Sequence, residues 1–302
     1  MAAEDPGWLV FFLLLLIEGA LAGAIYALIA LAFVLVYKSS RMINFALGEW
    51  IMVGALLAGF GQHSLGLGWI GAILFAAAGM AVFGIAFNAI VVQRLLTRPP
   101  ISLIMVTIGL GAMMRGTGMP VFAGIPAGLQ LPLVLDPLIL HGMPISREKL
   151  IAATVAAIVI ALVTWFYRRS RTGVALRAIA DDPRAALASG IDLNRLIALV
   201  WALTGALSVV AGILWVFAAG GGFGVALVGL KIFPIVIIGG LDSLPGTIIA
   251  AMAIGVLESL GAGYLDPLLG GGFGTIASYL LMMAMLLARP YGLFGQAPAE
   301  RV

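Results

Sequence analysis

WLVFFLLLLIEGALAGAIYALIALAFVLVY, residues 8–37, is a long apolar run in which Glu18 is the single charged residue. A helix needs about 20 consecutive apolar residues to cross the hydrocarbon core of a bilayer. The stretch is also longer than the apolar segment of a cleaved signal peptide, and the residues before it include Glu4 and Asp5 instead of a basic segment. We therefore predict a first membrane-spanning helix here.

The composition of the whole chain agrees with this first stretch. Of the 302 residues, 63% are hydrophobic and 10% are charged, whereas soluble domains contain about 25% charged residues. A soluble protein could not cover its surface with so few polar residues, which excludes a soluble enzyme and a disordered chain. The chain has no cysteine, which excludes disulfides and cysteine metal sites. We predict an all-α, polytopic membrane protein with a single transmembrane domain over residues 1–302.

Charged residues and Gly/Pro clusters divide the rest of the chain into further apolar runs. These are Met42–Phe60, Trp69–Val92, Ile101–Met114, Leu150–Tyr167, Leu196–Ala219, Val225–Ile238, Thr247–Leu260 and Phe273–Ala288. Residues 116–147 contain five prolines and predict a broken extracytoplasmic loop instead of a helix. The run 225–238 is short and includes Lys231 and Pro234, so it either crosses as a short helix or re-enters and returns. The expected total is eight or nine crossings.

The distribution of Lys and Arg predicts the orientation. If residues 168–195 lie in the cytoplasm, alternation of the spans places 12 of the 16 basic residues on the cytoplasmic side. The N-terminus is then extracytoplasmic and the C-terminus cytoplasmic. Arg115, Arg147 and Lys149 fall on the outer side in this assignment, and the depth of Lys231 is left open.

The cytoplasmic connection contains the sequence TGVALRAIADDPRAALASGIDLNR, residues 172–195, with clear signals for a short helix. Asp182 is placed as an N-cap, Pro183 as the first helical residue and Gly190 as the stop, which predicts a helix over Pro183–Ser189. Its Ala185, Ala186 and Leu187 are small enough to fit a partner's groove. Connections commonly run about 4–6 residues, so this length favours a contact surface, although a solvated elbow at the membrane surface remains the alternative.

Four segments resemble permease subunits of branched-chain amino acid ABC importers. ALRAIADDPRAALASGIDLNRLIALVWALTGALSVVAGIL, residues 175–214, resembles the coupling-loop region, and VIIGGLDSLPGTIIAAMAIGVLESL, residues 236–260, resembles a Gly-Gly…Pro-Gly segment. ARPYGLFG, residues 288–295, resembles the C-terminal tail. ALIALAFVLVYKSSRMINFALGEWIMVGA, residues 27–55, resembles the N-terminal signature Ile-Asn-Phe-Ala-His-Gly-Glu, with Leu47 in place of the usual His.

The resemblance implies a multi-subunit importer. Two permease subunits, either two copies or this chain with a sister chain, would form the pathway above two ATP-binding subunits, and an extracytoplasmic protein would deliver the amino acid. The coupling contact would involve Arg177, Ala178, Asp181, Asp182, Pro183, Arg184, Ala186, Gly190 and Ile191. The chain has no G-x-x-x-x-G-K-[ST] motif. We therefore expect ATP and Mg²⁺ on the partner subunits and no cofactor on this chain.

Polar residues inside the predicted spans are candidates for the translocation path, because charges within a membrane usually face the protein interior or a cavity. Glu49 either gates the inner end of the path or pairs with a basic residue as an interhelical lock. On a continuous helix Asn44 would lie about 500° from Glu49, not quite on the same face. Glu18 and Glu258 are predicted to make interhelical polar contacts. The candidate path residues are Asn44, Glu49, Thr107, Gly239, Gly240, Asp242 and Ser243.

The break GGLDSLPG, residues 239–246, is read either as a gate at the base of the pathway or as an ordinary tight turn between antiparallel helices. His63 and His141 lie in separate connections without a carboxylate cluster, so no metal site is predicted. No nucleophile has a base at a plausible spacing, so no catalytic site is predicted either.

The main functional hypothesis is a permease subunit of an ATP-driven importer for branched-chain or other hydrophobic amino acids, located in the cell (inner) membrane. Two alternatives are kept. One is an ion-coupled secondary transporter that works alone, for which the long cytoplasmic connection has no explanation. The other is an ABC permease for a small amide such as urea.

Overall fold

The computed structural model describes residues 7–95, 98–131, 136–140, 143–221 and 223–295. The α-helices are α1 (Trp8–Ser40), α2 (Leu47–His63), α3 (Trp69–Phe87), α4 (Gln93–Leu95), α5 (Pro100–Val121), α6 (Arg147–Arg169), α7 (Arg171–Asp181), α8 (Pro183–Ala188), α9 (Leu193–Ala219), α10 (Val228–Gly239), α11 (Leu244–Leu260), α12 (Asp266–Leu269) and α13 (Phe273–Ala288). π-Helical turns at Asn88–Val92 and Gly261–Leu265 join α3 to α4 and α11 to α12, and a 3₁₀ helix at Phe223–Leu227 precedes α10. The predicted all-α class is confirmed.

Within the described residues, six helices are long and apolar enough to cross a membrane. They are Trp8–Ser40, Trp69–Leu95, Ile101–Val121, Arg147–Arg169, Leu193–Ala219 and Leu244–Leu269. Two shorter apolar helices, Gly224–Gly239 and Phe273–Ala288, complete a polytopic bundle. Each predicted apolar run corresponds to one of these helices or to α2, although most helices extend a few residues beyond the run.

Helix α1 lies at the centre of the bundle. All residues from 25 to 36 are buried, because α6, α9, α10 and α11 pack around this part of the helix. A helix that is apolar on every side can be buried in this way. Close packing against α11 depends on small residues: a Cβ added at Gly19 would lie 2.6 Å from the Cα of Val256. Backbones that approach this closely are typical of helix pairs in membranes.

Two predicted boundaries were wrong, and both concern the candidate path. Helix α5 continues through Arg115 to Val121, so Arg115 lies within a helix and not in an extracytoplasmic connection. Helix α2 begins at Leu47 and not at Met42, because Arg41 adopts a left-handed backbone conformation (φ 54°) that ends α1, and the chain then continues without helix to Ala46. The angle between Asn44 and Glu49 on a continuous helix therefore has no meaning here.

The segment 225–238 takes one of the two forms left open. The start of α10 contacts α2, where a Cβ added at Gly229 would lie 2.7 Å from the Cα of Gly48. The end of α10 meets the turn to α11, where Lys38 near the C-terminus of α1 donates a hydrogen bond to the carbonyl of Asp242 (3.2 Å). The segment thus forms one short helix, Val228–Gly239, that runs from α2 to the C-terminal end of α1 and does not fold back on itself.

A two-stranded antiparallel hairpin lies within the loop predicted over residues 116–147. Strand β1 (Leu138–Leu140) pairs with β2 (Met143–Ile145), with Ile139 opposite Pro144. Ser146 follows β2 and caps α6 by accepting a hydrogen bond from the backbone N–H of Lys149 (3.2 Å). The broken loop was predicted from its prolines, but this hairpin was not.

Candidate functional site

The connection between α6 and α9 consists of two helices that are set by local capping. The side chain of Ser170 caps α7 by accepting from the N–H of Gly173 (2.9 Å), and Asp182 accepts from the N–H of Ala185 (3.2 Å) at the start of α8. Gly190 has a φ of 79°, which ends the segment in the conformation that glycine adopts without strain. The predicted capping is confirmed, and α8 ends at Ala188 instead of Ser189.

Helix α7 was not predicted, although the sequence carries a signal for it. Gly173, Leu176 and Ile179 recur every three residues and form its buried face. This spacing, together with the cap at Ser170, is typical of a short amphipathic helix. Because its overall apolar content is low, α7 does not form a long apolar run and is not recognised by that criterion.

Arg177 fastens α7 to the end of α6. Its guanidinium donates to the carbonyl of Tyr167 and to that of Arg168 (3.2 Å), and it lies 5.7 Å from the centre of the Tyr167 ring. The carbonyls in the last turn of a helix have no partner within the helix, so these bonds satisfy them. Arg177 thus has a structural role within the chain, in addition to the coupling role predicted for it.

The predicted coupling residues divide into an exposed group and an inner group. Asp181, Asp182 and Gly190 are exposed, whereas Ala186 is buried and Ala178 and Ile191 are half-buried. Pro183 and Arg184 belong to α8, but their side chains lie outside the described ones. Leu187 is 55% exposed next to buried Ala186, so α8 presents a large apolar side chain on its outer face.

The break at residues 239–246 has the geometry of a capped turn. Gly240 has a φ of 99°, and the side chain of Ser243 accepts from the N–H of Gly246 (3.1 Å) to cap α11. Gly239 packs against Thr247, where an added Cβ would lie 2.6 Å from the Cα of Thr247. Asp242 and Ser243 also line a cavity of about 440 Å³ at the end of α6. This geometry is that of a tight turn between α10 and α11, and the alternative of a gate at the base of the pathway stays a prediction.

Glu49 of α2 forms a salt bridge with Arg115 of α5, with 3.2 Å between Glu49 Oε1 and Arg115 Nε. Glu49 is 6% exposed, whereas the Arg115 side chain is 51% exposed. Gly111 leaves room for the carboxylate, because an added Cβ there would lie 3.0 Å from Glu49 Cδ. The carboxylate is therefore locked between two helices, as one reading of Glu49 predicted, while its partner faces a surface that the described part of the chain leaves open.

Asn44 and Thr107 support the non-helical link before α2. The Asn44 side chain accepts from the N–H of Ala46 (3.0 Å), and Thr107 accepts from the N–H of Phe45 (3.3 Å). Both residues are buried. Non-helical backbone within a membrane is tolerated only where its polar groups find partners inside the protein. These two candidate path residues supply such partners.

Two further ion pairs connect helices inside the bundle. Lys149 Nζ lies 2.7 Å from Glu18 Oε2, which joins α6 to α1. Glu258 Oε2 accepts from Tyr26 Oη (2.7 Å) and from Lys231 Nζ (3.1 Å), which joins α11 to α1 and α10. The interhelical contacts predicted for Glu18 and Glu258 are thus present, and Lys231 lies within the bundle.

The described residues contain no cluster of three or more His, Asp or Glu that could hold a metal ion. His63 contacts the carbonyl of Gly59, four residues earlier on the same helix (3.0 Å). His141 lies outside the described residues.

This bundle, with its paired intramembrane charges and its two-helix connection, has the features of a membrane permease. The family model for the branched-chain amino acid transport system permease component matches residues 15–289, so the chain belongs to this family. As a permease component, it is a multi-pass membrane protein that works with ATP-binding and substrate-binding components.

The similar proteins are described as branched-chain amino acid transport permeases, and two of them match over nearly their full length. The high-affinity branched-chain amino acid transport system permease protein BraD of Pseudomonas aeruginosa is 30% identical over 95% of this chain and 97% of its own. LivH of Escherichia coli K12, with the same description, is 29% identical over 97% of this chain and 98% of its own. A probable LivH of Methanocaldococcus jannaschii is 38% identical over 42% of each chain.

Proposed function

We propose that this chain is the membrane-spanning subunit of an ATP-driven importer that takes up branched-chain or other hydrophobic amino acids. The observation that carries the proposal is the match to two branched-chain amino acid permeases over at least 95% of each chain. An extracytoplasmic binding protein delivers the substrate, so the permease itself requires no tight binding site.

The translocation path runs along the open face of α5, between this chain and a second permease subunit. On this face Gly109, Ala112 and Gly116 are exposed, and Arg115 projects from the same side while it pairs with Glu49. Small residues leave room for a passing apolar side chain. A charge within a membrane helix usually faces a cavity or a protein partner, which supports a path or a subunit contact here.

Helices α7 and α8 form the contact with the ATP-binding subunits. Exposed Leu187 supplies an apolar anchor, and Asp181 and Asp182, which precede α8, are exposed as well. Arg177 and buried Ala186 hold the two helices against the bundle, so that a push on their outer face reaches α6 and α9. ATP and Mg²⁺ bind to the partner subunits, and this chain binds no cofactor and catalyses no reaction.

The N-terminus is extracytoplasmic and the C-terminus cytoplasmic in the proposed orientation. Because the chain has no cysteine, single cysteines can be introduced without background. In intact cells, an impermeant thiol reagent should label Ile139→Cys in the hairpin and leave Ser189→Cys unlabelled until the membrane is opened. Labelling of Ser189→Cys but not of Ile139→Cys in intact cells would show that the orientation is the opposite one.

The substrate class is tested by competition in cells that depend on this importer for uptake. Unlabelled leucine, isoleucine and valine should each compete with radioactive leucine, while urea and aspartate should not. Competition by urea together with ATP-dependent urea uptake would assign the chain to amide transport instead.

A further inference from the structure

Two adjoining cavities lie along α6. The first is an open groove of about 520 Å³ between α1, α6 and α11. Its wall is apolar and consists mainly of Ala24, Ala27, Ala157, Ile160, Ala161 and Met252. Trp165, which is 66% exposed, stands beside Arg168 and Arg169 at the end of the groove nearest the connection to α7.

The second cavity, of about 440 Å³, continues from this end of the groove. Thr164, Arg168 and Ile248 line both cavities. The second cavity is basic, because Lys38, Arg41, Arg168 and Arg177 line it together with only two acidic residues, Asp181 and Asp242. An apolar groove thus leads directly into a pocket with excess positive charge.

Three of the four cations of this pocket donate hydrogen bonds to backbone carbonyls. Lys38 donates to the carbonyl of Asp242 (3.2 Å), Arg41 to that of Ala180 (3.5 Å) and Arg177 to that of Arg168 (3.2 Å). Among the residues that the structure describes, none of the four cations forms a salt bridge. Against the two carboxylates of the pocket, Asp181 and Asp242, these four cations leave an excess of two positive charges that can attract an anion.

Two residues with buried hydroxyl groups, Thr164 and Tyr167, also line the basic pocket. Tyr167 is 4% exposed and lines the basic pocket, and Lys38 and Arg177 lie 5.5 and 5.7 Å from the centre of its ring. Its hydroxyl, and that of Thr164, have no hydrogen-bond partner within the described part of the chain. Buried hydroxyls normally have a partner, and an acceptor oxygen of a ligand in the basic pocket would supply one.

We propose that the two cavities together bind one anionic phospholipid of the cytoplasmic leaflet. An acyl chain lies in the alanine-lined groove, and the phosphate lies among Lys38, Arg168 and Tyr167. Basic pockets between membrane helices on the cytoplasmic side suit anionic headgroups, and tryptophan suits the membrane interface. The continuous apolar groove favours a lipid over a free phosphate ion, because a free phosphate ion has no apolar part that could occupy the groove. The inference rests on the proposed orientation but not on the proposed substrate.

The position of this lipid links it to the coupling segment. The basic pocket is bounded by α1, α6, α7 and the turn before α11. A phosphate bound there would join α7 to the bundle by charge-assisted hydrogen bonds, in addition to the contacts of Arg177. The lipid would therefore hold the coupling helices in register with the spans.

The test compares lipid retention by the full-length chain in nanodiscs of phosphatidylcholine with and without phosphatidylglycerol, followed by native mass spectrometry after mild detergent extraction. The wild-type chain should retain phosphatidylglycerol in preference to phosphatidylcholine. The double variant Lys38→Gln/Arg168→Gln should lose this preference by about tenfold or more, because hydrogen bonds to charged groups are removed. Arg171→Gln, which removes an exposed charge of α7 outside both cavities, is the matched control and should keep it.

A second variant separates a lipid from a free anion. Ala161→Trp should fill the groove, leave the basic pocket intact and reduce phosphatidylglycerol retention. Thermal unfolding and size-exclusion profiles confirm that each variant is folded. Equal retention of the two lipids by the wild type, or an equal loss in Arg171→Gln, would overturn the proposal. The proposal would also be overturned if Ala161→Trp retained the lipid fully and inorganic phosphate displaced it. Loss of the lipid whenever the ATP-binding subunits are bound would overturn it as well.

Discussion

Glu49 Oε1 and Arg115 Nε lie 3.2 Å apart across the contact between α2 and α5, with the carboxylate buried and the guanidinium half exposed. Two charges within a membrane span are costly unless they are paired. The pair fixes α5 at the edge of the bundle and at the same time presents a positive charge on the open face of that helix. It therefore connects the packing of this chain with the path proposed beside it.

Removal of Arg115 should destabilise the chain more than removal of the whole pair. Arg115→Gln leaves the buried carboxylate of Glu49 without its cation, a situation that costs up to about 3–5 kcal/mol when the pair is fully buried and less at this half-exposed site. The double variant Glu49→Gln/Arg115→Gln should recover most of the loss. Thermal unfolding of the purified chain measures the effect, and simple additivity of the two single changes would contradict the pairing.

Helix α8 should lose its contact with the ATP-binding subunits when its apolar anchor becomes charged. Leu187→Asp places a carboxylate where we expect an apolar pocket, so uptake should fall about tenfold or more while membrane insertion is unchanged. The measurement is transport by the assembled complex, with co-purification of the ATP-binding subunits. Ile139→Asp changes an exposed apolar residue of the hairpin (73% exposed, against 55% for Leu187) and should leave both readouts near the wild-type level. A similar loss in both variants would argue against the assigned contact.

Of the two residues that contact Glu258, the charged Lys231 should contribute more to stability than the neutral Tyr26. Tyr26→Phe removes one hydrogen bond to a carboxylate and should cost about 1.5–3 kcal/mol. Lys231→Met removes the only cation within 4.0 Å of Glu258 among the described residues and should cost more, because an unpaired charge then stays within the bundle. Chemical unfolding in detergent compares the two variants, and an equal or smaller loss for Lys231→Met would show that Glu258 is not held as an anion.

The contact between α1 and α11 should not accept a larger side chain. Gly19→Val places atoms about where the backbone of Val256 lies, 2.6 Å from the new Cβ, so the helices must separate and stability should fall by about 1–3 kcal/mol or more. Gly271→Val, at a glycine with open space around it, is the control. Equal unfolding temperatures for the two variants would mean that α1 and α11 do not pack as described.

Local signals in the sequence were sufficient for part of this structure. The cap at Asp182 and the stop at Gly190 depend only on neighbouring residues, and they lie where they were predicted. The apolar runs likewise gave the spanning helices, because length and composition decide whether a helix can cross a bilayer.

Contacts between residues that are far apart in the chain could not be predicted from the sequence. The predicted fourth span ended at Met114 because a charge follows it, but Arg115 continues the helix since Glu49, 66 positions earlier in the chain, pairs with it. In the same way, Tyr26 and Glu258 meet although 232 positions separate them. Periodicity and composition carry no information about which distant residue supplies the compensating charge.

We propose that ATP hydrolysis by partner subunits drives amino acid uptake through this chain. The most direct measurement is the uptake of radioactive leucine into proteoliposomes that contain the chain with its ATP-binding subunits, with the substrate-binding protein outside and ATP inside. We expect uptake only when ATP and both partner components are present, and none with the non-hydrolysable analogue. Leucine uptake by the isolated chain, driven by a proton or sodium gradient without ATP, would contradict the account.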